Sequence, residues 1–215
     1  DPGMAVAAAG LGTCTEQAVA LKRAATAPTA RRGALSVPDS LRYLSAYPPD
    51  LLAQVAGLIA GSGLGVHLRR RYPVAHTVRN DRALFQFVTA LKNEYLRGAE
   101  SVDKVLFDSK IQVIRHALGL HTTHARVQGS RLKASREIRI ASLFRDAPPE
   151  FLRMIAVHEL AHLKEREHDK AFYKLCCHMA PDYHQLEFDV RLYLTHLDLT
   201  GERLWACDTA QITTE

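Results

Sequence analysis

Apolar and polar positions follow no sustained period up to residue 37, where Ala, Thr and Gly dominate. Such a segment offers little apolar surface to bury and is expected to be a mobile tail. From Pro38 onward the apolar positions fall into helical spacing. Pro38-Asp39-Ser40 opens a helix that runs to Ala60 with a break at Pro48-Pro49. Gly61, Gly63 and Gly65 close it. That segment lacks the Gly-Lys-Ser/Thr ending of a phosphate loop and follows a helix rather than a strand, so it reads as a helix end and a turn. Asp81 is placed to cap a helix reaching Arg97, with Leu84, Val88, Leu91 and Tyr95 on one face. Val102 to Leu118 repeats the spacing through Val105, Leu106, Ile111 and Ile114, and Gly119 stops it. This predicts a further helix.

Past His124 the period changes. Ala125–Gln128 and Glu137–Ala141 read as two short antiparallel strands, the second through Ile138 and Ile140, with Gly129–Ser135 turning between them. Asp146-Ala147-Pro148-Pro149-Glu150 then carries a helix start: a capping Asp, prolines in the first turn and an acid near the positive end. That helix runs to about Leu163, with Leu152, Ala156, Leu160 and Leu163 as its apolar stripe. Two more follow, over Asp169–Met179 and Tyr183–Leu199, and Gly201 closes the last. The pattern predicts an α+β fold, mostly helical. Residues 1–37 form a tail, 38–120 an N-terminal helical extension, 121–203 a core of short antiparallel strands packed on the helix from Glu150, and 204–215 a C-terminal tail.

Composition narrows the class. The chain has 215 residues, 47% of them hydrophobic, which suits one medium domain with an extension. No apolar stretch approaches the ~18 residues of a membrane span, so no membrane partner is expected. The net charge of +5 is carried by residues 1–100, and mild basicity permits an acidic partner without demanding one. Cys14, Cys176, Cys177 and Cys207 show no metal-binding spacing, and a bridge between the adjacent pair is strained. Reduced thiols and a cytoplasmic location are expected. Asp1-Pro2-Gly3 ahead of Met4 reads as a cloning remnant. Ala5–Gly12 is short and lacks the basic flank of a signal peptide.

The chemistry sits on the helix from Glu150, which contains His158-Glu159-Leu160-Ala161-His162. Positions i and i+4 of a helix lie one turn apart on one face, so the two imidazoles can grip one cation. Glu159 follows the first of them and can take a proton from a metal-activated water without itself ligating. A catalytic zinc wants three protein ligands and an open position, and His168 is the third candidate. These three histidines share the overall spacing of the metzincin pattern, but Glu165 stands where that pattern wants a turning Gly.

Val157-His158-Glu159-Leu160-Ala161-His162-Leu163, then His168, Phe172-Tyr173 and Pro181-Asp182-Tyr183, resemble the YgjP-like metallopeptidase family, relatives of the SprT-like and Wlm-type minimal zincins. The approach to the motif is also similar: Ile138-Arg139-Ile140, then Leu143, then Ala147-Pro148. The resemblance covers roughly residues 125–195. It implies a minimal zincin core, one zinc per chain on His158, His162 and His168, Glu159 as general base, and hydrolysis of a peptide or protein substrate.

Other polar residues have places in this picture. Asp169 either orients His168 or simply caps the next helix. Tyr173, Tyr183 and His184 are candidates for stabilising a transition state or orienting a ligand, against the plainer role of packing. Glu187 is the substitute ligand if His168 is not one. His116, His121 and His124 share no ligand spacing and are left structural. Arg126 to Arg145 holds six basic residues and Glu137 as the lone acid, so Arg136 and Arg139 are candidates for a basic substrate edge. That hairpin and Arg69-Arg70-Arg71 leave a weak nucleic-acid association open. The leading function is a zinc peptidase. A SprT-like protein acting on DNA-bound protein, or serving as a binding module, is the alternative. A zinc hydrolase of non-peptide bonds is third, because the motif specifies the activated water and not the bond it attacks.

Overall fold

A computed structural model describes residues 39–111, 119–128 and 131–205; the tail expected up to residue 37 lies outside these. A 3-10 turn, Asp39–Leu44, precedes helices α1 (Pro49–Ala60), α2 (Leu64–Arg71) and α3 (Asp81–Tyr95). Strands β1 (Lys104–Asp108), β2 (Gly119–Gln128) and β3 (Arg131–Ala141) follow, then a second 3-10 turn, Ser142–Asp146. Helices α4 (Pro149–Ala161), α5 (Lys170–Met179) and α6 (Tyr183–Thr200) complete the order.

The proline break behaves as expected, and α1 starts with Pro49 in its first turn, where a missing N–H costs nothing. After the Gly61 turn the chain forms α2, which the sequence pattern did not predict, bent by 102° from α1. Gly65 lies inside α2 because a β-carbon there would come within 3.0 Å of His196 and 3.1 Å of Leu204. Its bareness lets α2 close on α6. The cap of α3 is Asn80, whose side chain accepts from the Ala83 N–H at 2.9 Å. Asp81, expected in that role, instead accepts from the Phe107 N–H at 3.0 Å and ties α3 to β1.

The helix expected over 102–118 is not formed at its start. Lys104–Asp108 is a strand, with Val105 and Phe107 buried and Lys104 exposed. Five residues of alternation suffice because a partner waits in β3: Val105 pairs Ile138 and Phe107 pairs Ile140, in parallel. Helical spacing cannot reveal a pairing made with residues so distant in sequence. Residues 112–118 lie outside the description.

The hairpin is longer than expected, running from Gly119 opposite Ile140 to Gln128 opposite Arg131. The sheet is therefore mixed and ordered β1-β3-β2. For β2 and the start of β3 only the backbone is described.

Among the described residues one core cluster extends from Leu41 to Trp205, joining helices α1 to α3 with the strands and helices that follow. Helix α4 lies at its centre, buried from Phe151 to Ala161 except at Arg153 rather than along one stripe. It packs on α3, α5, α6, β2 and β3. Its start also differs: Pro148 holds the cap position without a side-chain cap, and Asp146 pairs with Arg79 and Arg203. At the far end Gly201, at φ +71°, closes α6 and turns the chain back. Leu204 and Trp205, expected in a tail, are thereby buried in the core, and Trp205 Nε1–H donates to the Tyr72 carbonyl at 2.7 Å. Residues 206–215 lie outside the description.

Candidate metal centre

Helix α4 ends at Ala161, and His162 occupies its C-cap with dihedrals still helical, φ −64° and ψ −12°. The i,i+4 relation to His158 is therefore kept, with ring centroids 5.0 Å apart. The chain then leaves the helix. Asp169 opens α5, its carboxylate accepting from the N–H groups of Ala171 and Phe172 at 2.8 and 3.0 Å. The loop between brings His168 back over the helix end, so that its Nε2 lies 3.1 Å from His158 Nε2. One nitrogen from each of His158, His162 and His168 lies within 4.8 Å of the others.

The outer ring nitrogens of His158 and His162 are already engaged. His162 Nδ1 lies 3.0 Å from the Glu165 carbonyl, which only accepts, so that nitrogen carries the proton and Nε2 keeps a lone pair. His158 Nδ1 lies 2.7 Å from the Tyr183 hydroxyl. Burial holds His158 well below the usual histidine range, with His162 and His168 adding to the effect; burial lowers His168 as well. Neutral imidazole is the form a metal needs.

Glu159 is 2% exposed. Its Oε2 is buried without a hydrogen-bond partner, and burial pushes the carboxyl up to about 8. Glu159 follows His158 on the same helix, and an orphaned buried carboxyl there fits a missing positive charge, because a nearby cation favours the ionised acid. The residues present thus fit a divalent metal held by His158, His162 and His168.

A family model described as the YgjP-like metallopeptidase domain matches residues 98–190. A UTP pyrophosphatase of Escherichia coli (strain K12) is 59% identical over 166 residues, covering 77% of this chain and 99% of that protein. The chain belongs to the YgjP-like family. No solved structure matches it.

Within this YgjP-like chain the remaining candidate residues divide by position. Tyr183 touches the histidine cluster directly. Asp169 caps α5 next to His168 in sequence. Tyr173 and His184 stack on one another at 5.3 Å, beside Tyr183, and burial pushes the Tyr173 phenol up to about 12. Glu187 is held by Arg191 at 2.8 Å, and among the described residues the converging ligand set contains His168 rather than Glu187. Arg139 bridges Glu137 at 2.7 Å and Asp108 at 3.1 Å, and Arg136 pairs with Glu100. Both arginines lie on β3, the middle strand, whose backbone is paired on both sides from Glu137 to Ile140. The open edges of the sheet belong to β1 and β2.

Phe172 was read from sequence only as part of the resemblance. Its fully buried ring contacts all three imidazoles, at centroid distances of 5.0, 4.7 and 4.7 Å from His158, His162 and His168. Only the loop that folds His168 back reveals it. Cys176 is free and buried, whereas Cys177 is disulfide-bonded, so the expectation of uniformly reduced cysteines does not hold. The side chains of His116, His121 and His124 lie outside the description. Among the described residues no single helix is long and apolar enough to cross a membrane.

Proposed function

We propose that this chain is a zinc-dependent hydrolase of UTP, cleaving the triphosphate between its α and β phosphorus atoms. The observation that carries the reading is the 59% identity to the Escherichia coli UTP pyrophosphatase over 99% of its length. The site chemistry is compatible with that bond, because His-Glu-x-x-His dictates an activated water and leaves the electrophile open. Three imidazole donors suit a catalytic zinc, which takes three protein ligands and keeps a fourth position open. Bound there, zinc supplies Lewis-acid activation of water and of a phosphoryl or carbonyl oxygen.

This chain's residues supply the rest. His158, His162 and His168 would hold the ion, and Phe172 packs against all three rings. Glu159 accepts the proton of the attacking water. The water oxygen bonds to the α phosphorus, the bridging oxygen leaves with pyrophosphate, and the proton passes to the leaving group or to solvent. Burial helps here by raising the basicity of the carboxylate toward the operating pH.

Peptide hydrolysis is the second reading, favoured by the description of the matching family model as a metallopeptidase domain. The same zinc, histidines and Glu159 would then act on a carbonyl. One preparation of the full chain decides between them. Incubated with UTP and, separately, with a peptide library, it is expected to release UMP and pyrophosphate and to leave the peptides intact. Peptide cleavage without UTP turnover would replace the first reading by the second.

A further inference from the structure

We infer that Tyr183 is the residue that positions His158 for the metal, by setting which of its ring nitrogens carries the proton. The inference rests on the reading of the three histidines as a metal site. Tyr183 opens α6 and is fully buried, with its hydroxyl 2.7 Å from His158 Nδ1. The free, buried thiol of Cys176 on α5 lies near the same phenol.

A hydroxyl both donates and accepts, so this contact supports two proton arrangements. In one, the Tyr183 O–H donates to His158 Nδ1, and the Nε2–H of His158 donates to His168 Nε2 across the 3.1 Å contact. That arrangement spends the two nitrogens a metal needs. In the other, His158 Nδ1–H donates to the Tyr183 oxygen, and the Tyr183 O–H turns away from that ring. His158 Nε2 is then a free lone pair aimed at the cluster. Passing from the first to the second moves the proton of one imidazole between its own nitrogens, with no net gain or loss by the protein. His162 needs no such adjustment, because a carbonyl fixes its tautomer. His158 alone is fixed by a partner that can reverse direction.

The role differs from packing in what it moves. Phenylalanine at 183 keeps the ring and removes the acceptor, leaving a buried Nδ1–H unpaired when metal is bound. Loss of such an outer partner typically costs about 10–100-fold in metal affinity. Zinc affinity of the full chain, measured by competition with a chromophoric chelator, is expected to fall by about that factor in Tyr183→Phe. The melting temperature of the chelator-stripped variant is expected to change far less than that of the zinc-loaded one. Equal zinc affinity in wild type and Tyr183→Phe overturns the inference.

A second measurement needs no variant to fold. Zinc-loaded wild type with 15N-labelled histidine is expected to show an exchange-protected Nδ1–H resonance for His158 with a cross-peak to the Tyr183 ring. A zinc-loaded protein in which His158 shows no protonated Nδ1 overturns the inference. Wild type that binds no zinc at all overturns the metal-site reading instead, so the two failures are distinguishable.

Discussion

His158 and His168 hold their Nε2 atoms 3.1 Å apart, although one lies inside a buried helix and the other on the loop beyond its end. Two nitrogens on a tetrahedral zinc with bonds of about 2.0–2.1 Å lie about 3.3 Å apart. The loop from Leu163 to Asp169 therefore delivers its histidine at the separation a shared ion requires. Protein purified without chelator is expected to hold about one zinc per chain. His162→Ala leaves two ligands and should lose most of it, as should His168→Ala. Elemental analysis checks this, and full occupancy in both variants would remove the site.

His76 supplies a pH dependence independent of the metal. Its Nε2 lies 2.7 Å from the Phe144 carbonyl and its Nδ1 accepts from the Val78 N–H at 3.1 Å, so both nitrogens are committed in the neutral form. Burial lowers its pKa, and Arg79 adds to this, while the bond to the Phe144 carbonyl and the charge of Asp146 oppose without reversing it. A histidine depressed on folding contributes stability that is present above its unfolded value of about 6.5 and is lost as pH falls through the folded one. Unfolding of wild type and His76→Gln, both stripped of metal, should differ most near pH 8. The difference should shrink as pH drops below 6. A gap that grows on acidification would contradict the assignment.

Trp205 closes the core from a segment that reads as tail. Its indole donates to the Tyr72 carbonyl and packs on Phe151 and Tyr193 at 5.5 and 4.9 Å. Trp205→Ala is expected to cost about 3–5 kcal/mol, measured by urea unfolding. A cost under about 1 kcal/mol would place the indole outside the core.

Arg139 joins two strands, bridging Glu137 of β3 and Asp108 of β1. Arg139→Glu would gather three acids at that point. Its melting temperature is expected to fall at low salt and to recover partly at high salt. Unchanged melting at low salt would show that the bridge contributes nothing.

What the sequence discloses depends on the range of the interaction. The i,i+4 pair His158 and His162, the Asp169 cap and the Gly201 stop are local geometry, and local patterns display them. His168 joins the pair through a loop whose path follows from where α5 starts, and the Asp169 cap makes that start legible. β1 is masked by helical spacing because its alternation is five residues long and its stability comes from β3. The all-round burial of α4 was missed because its apolar stripe is visible in sequence while the neighbours covering its other faces are not. Tyr183 is legible in the sequence only as a candidate, and its contact with His158 depends on how α6 lies across α4, which no spacing encodes. Phe172 gave no separate signal, since a buried aromatic in a short helix is core by default.

The most direct test of the account is UTP hydrolysis by wild type and Glu159→Gln on preparations whose zinc content is measured alongside. Gln keeps the size of the side chain and cannot accept the proton, and general base catalysis typically contributes about 10²–10⁴-fold. Wild type is predicted to release pyrophosphate and to stop when the metal is chelated. Glu159→Gln is predicted to retain its zinc and lose turnover by about that factor. UTP turnover within a few-fold of wild type in a zinc-replete Glu159→Gln, or turnover that survives removal of the metal, would contradict it.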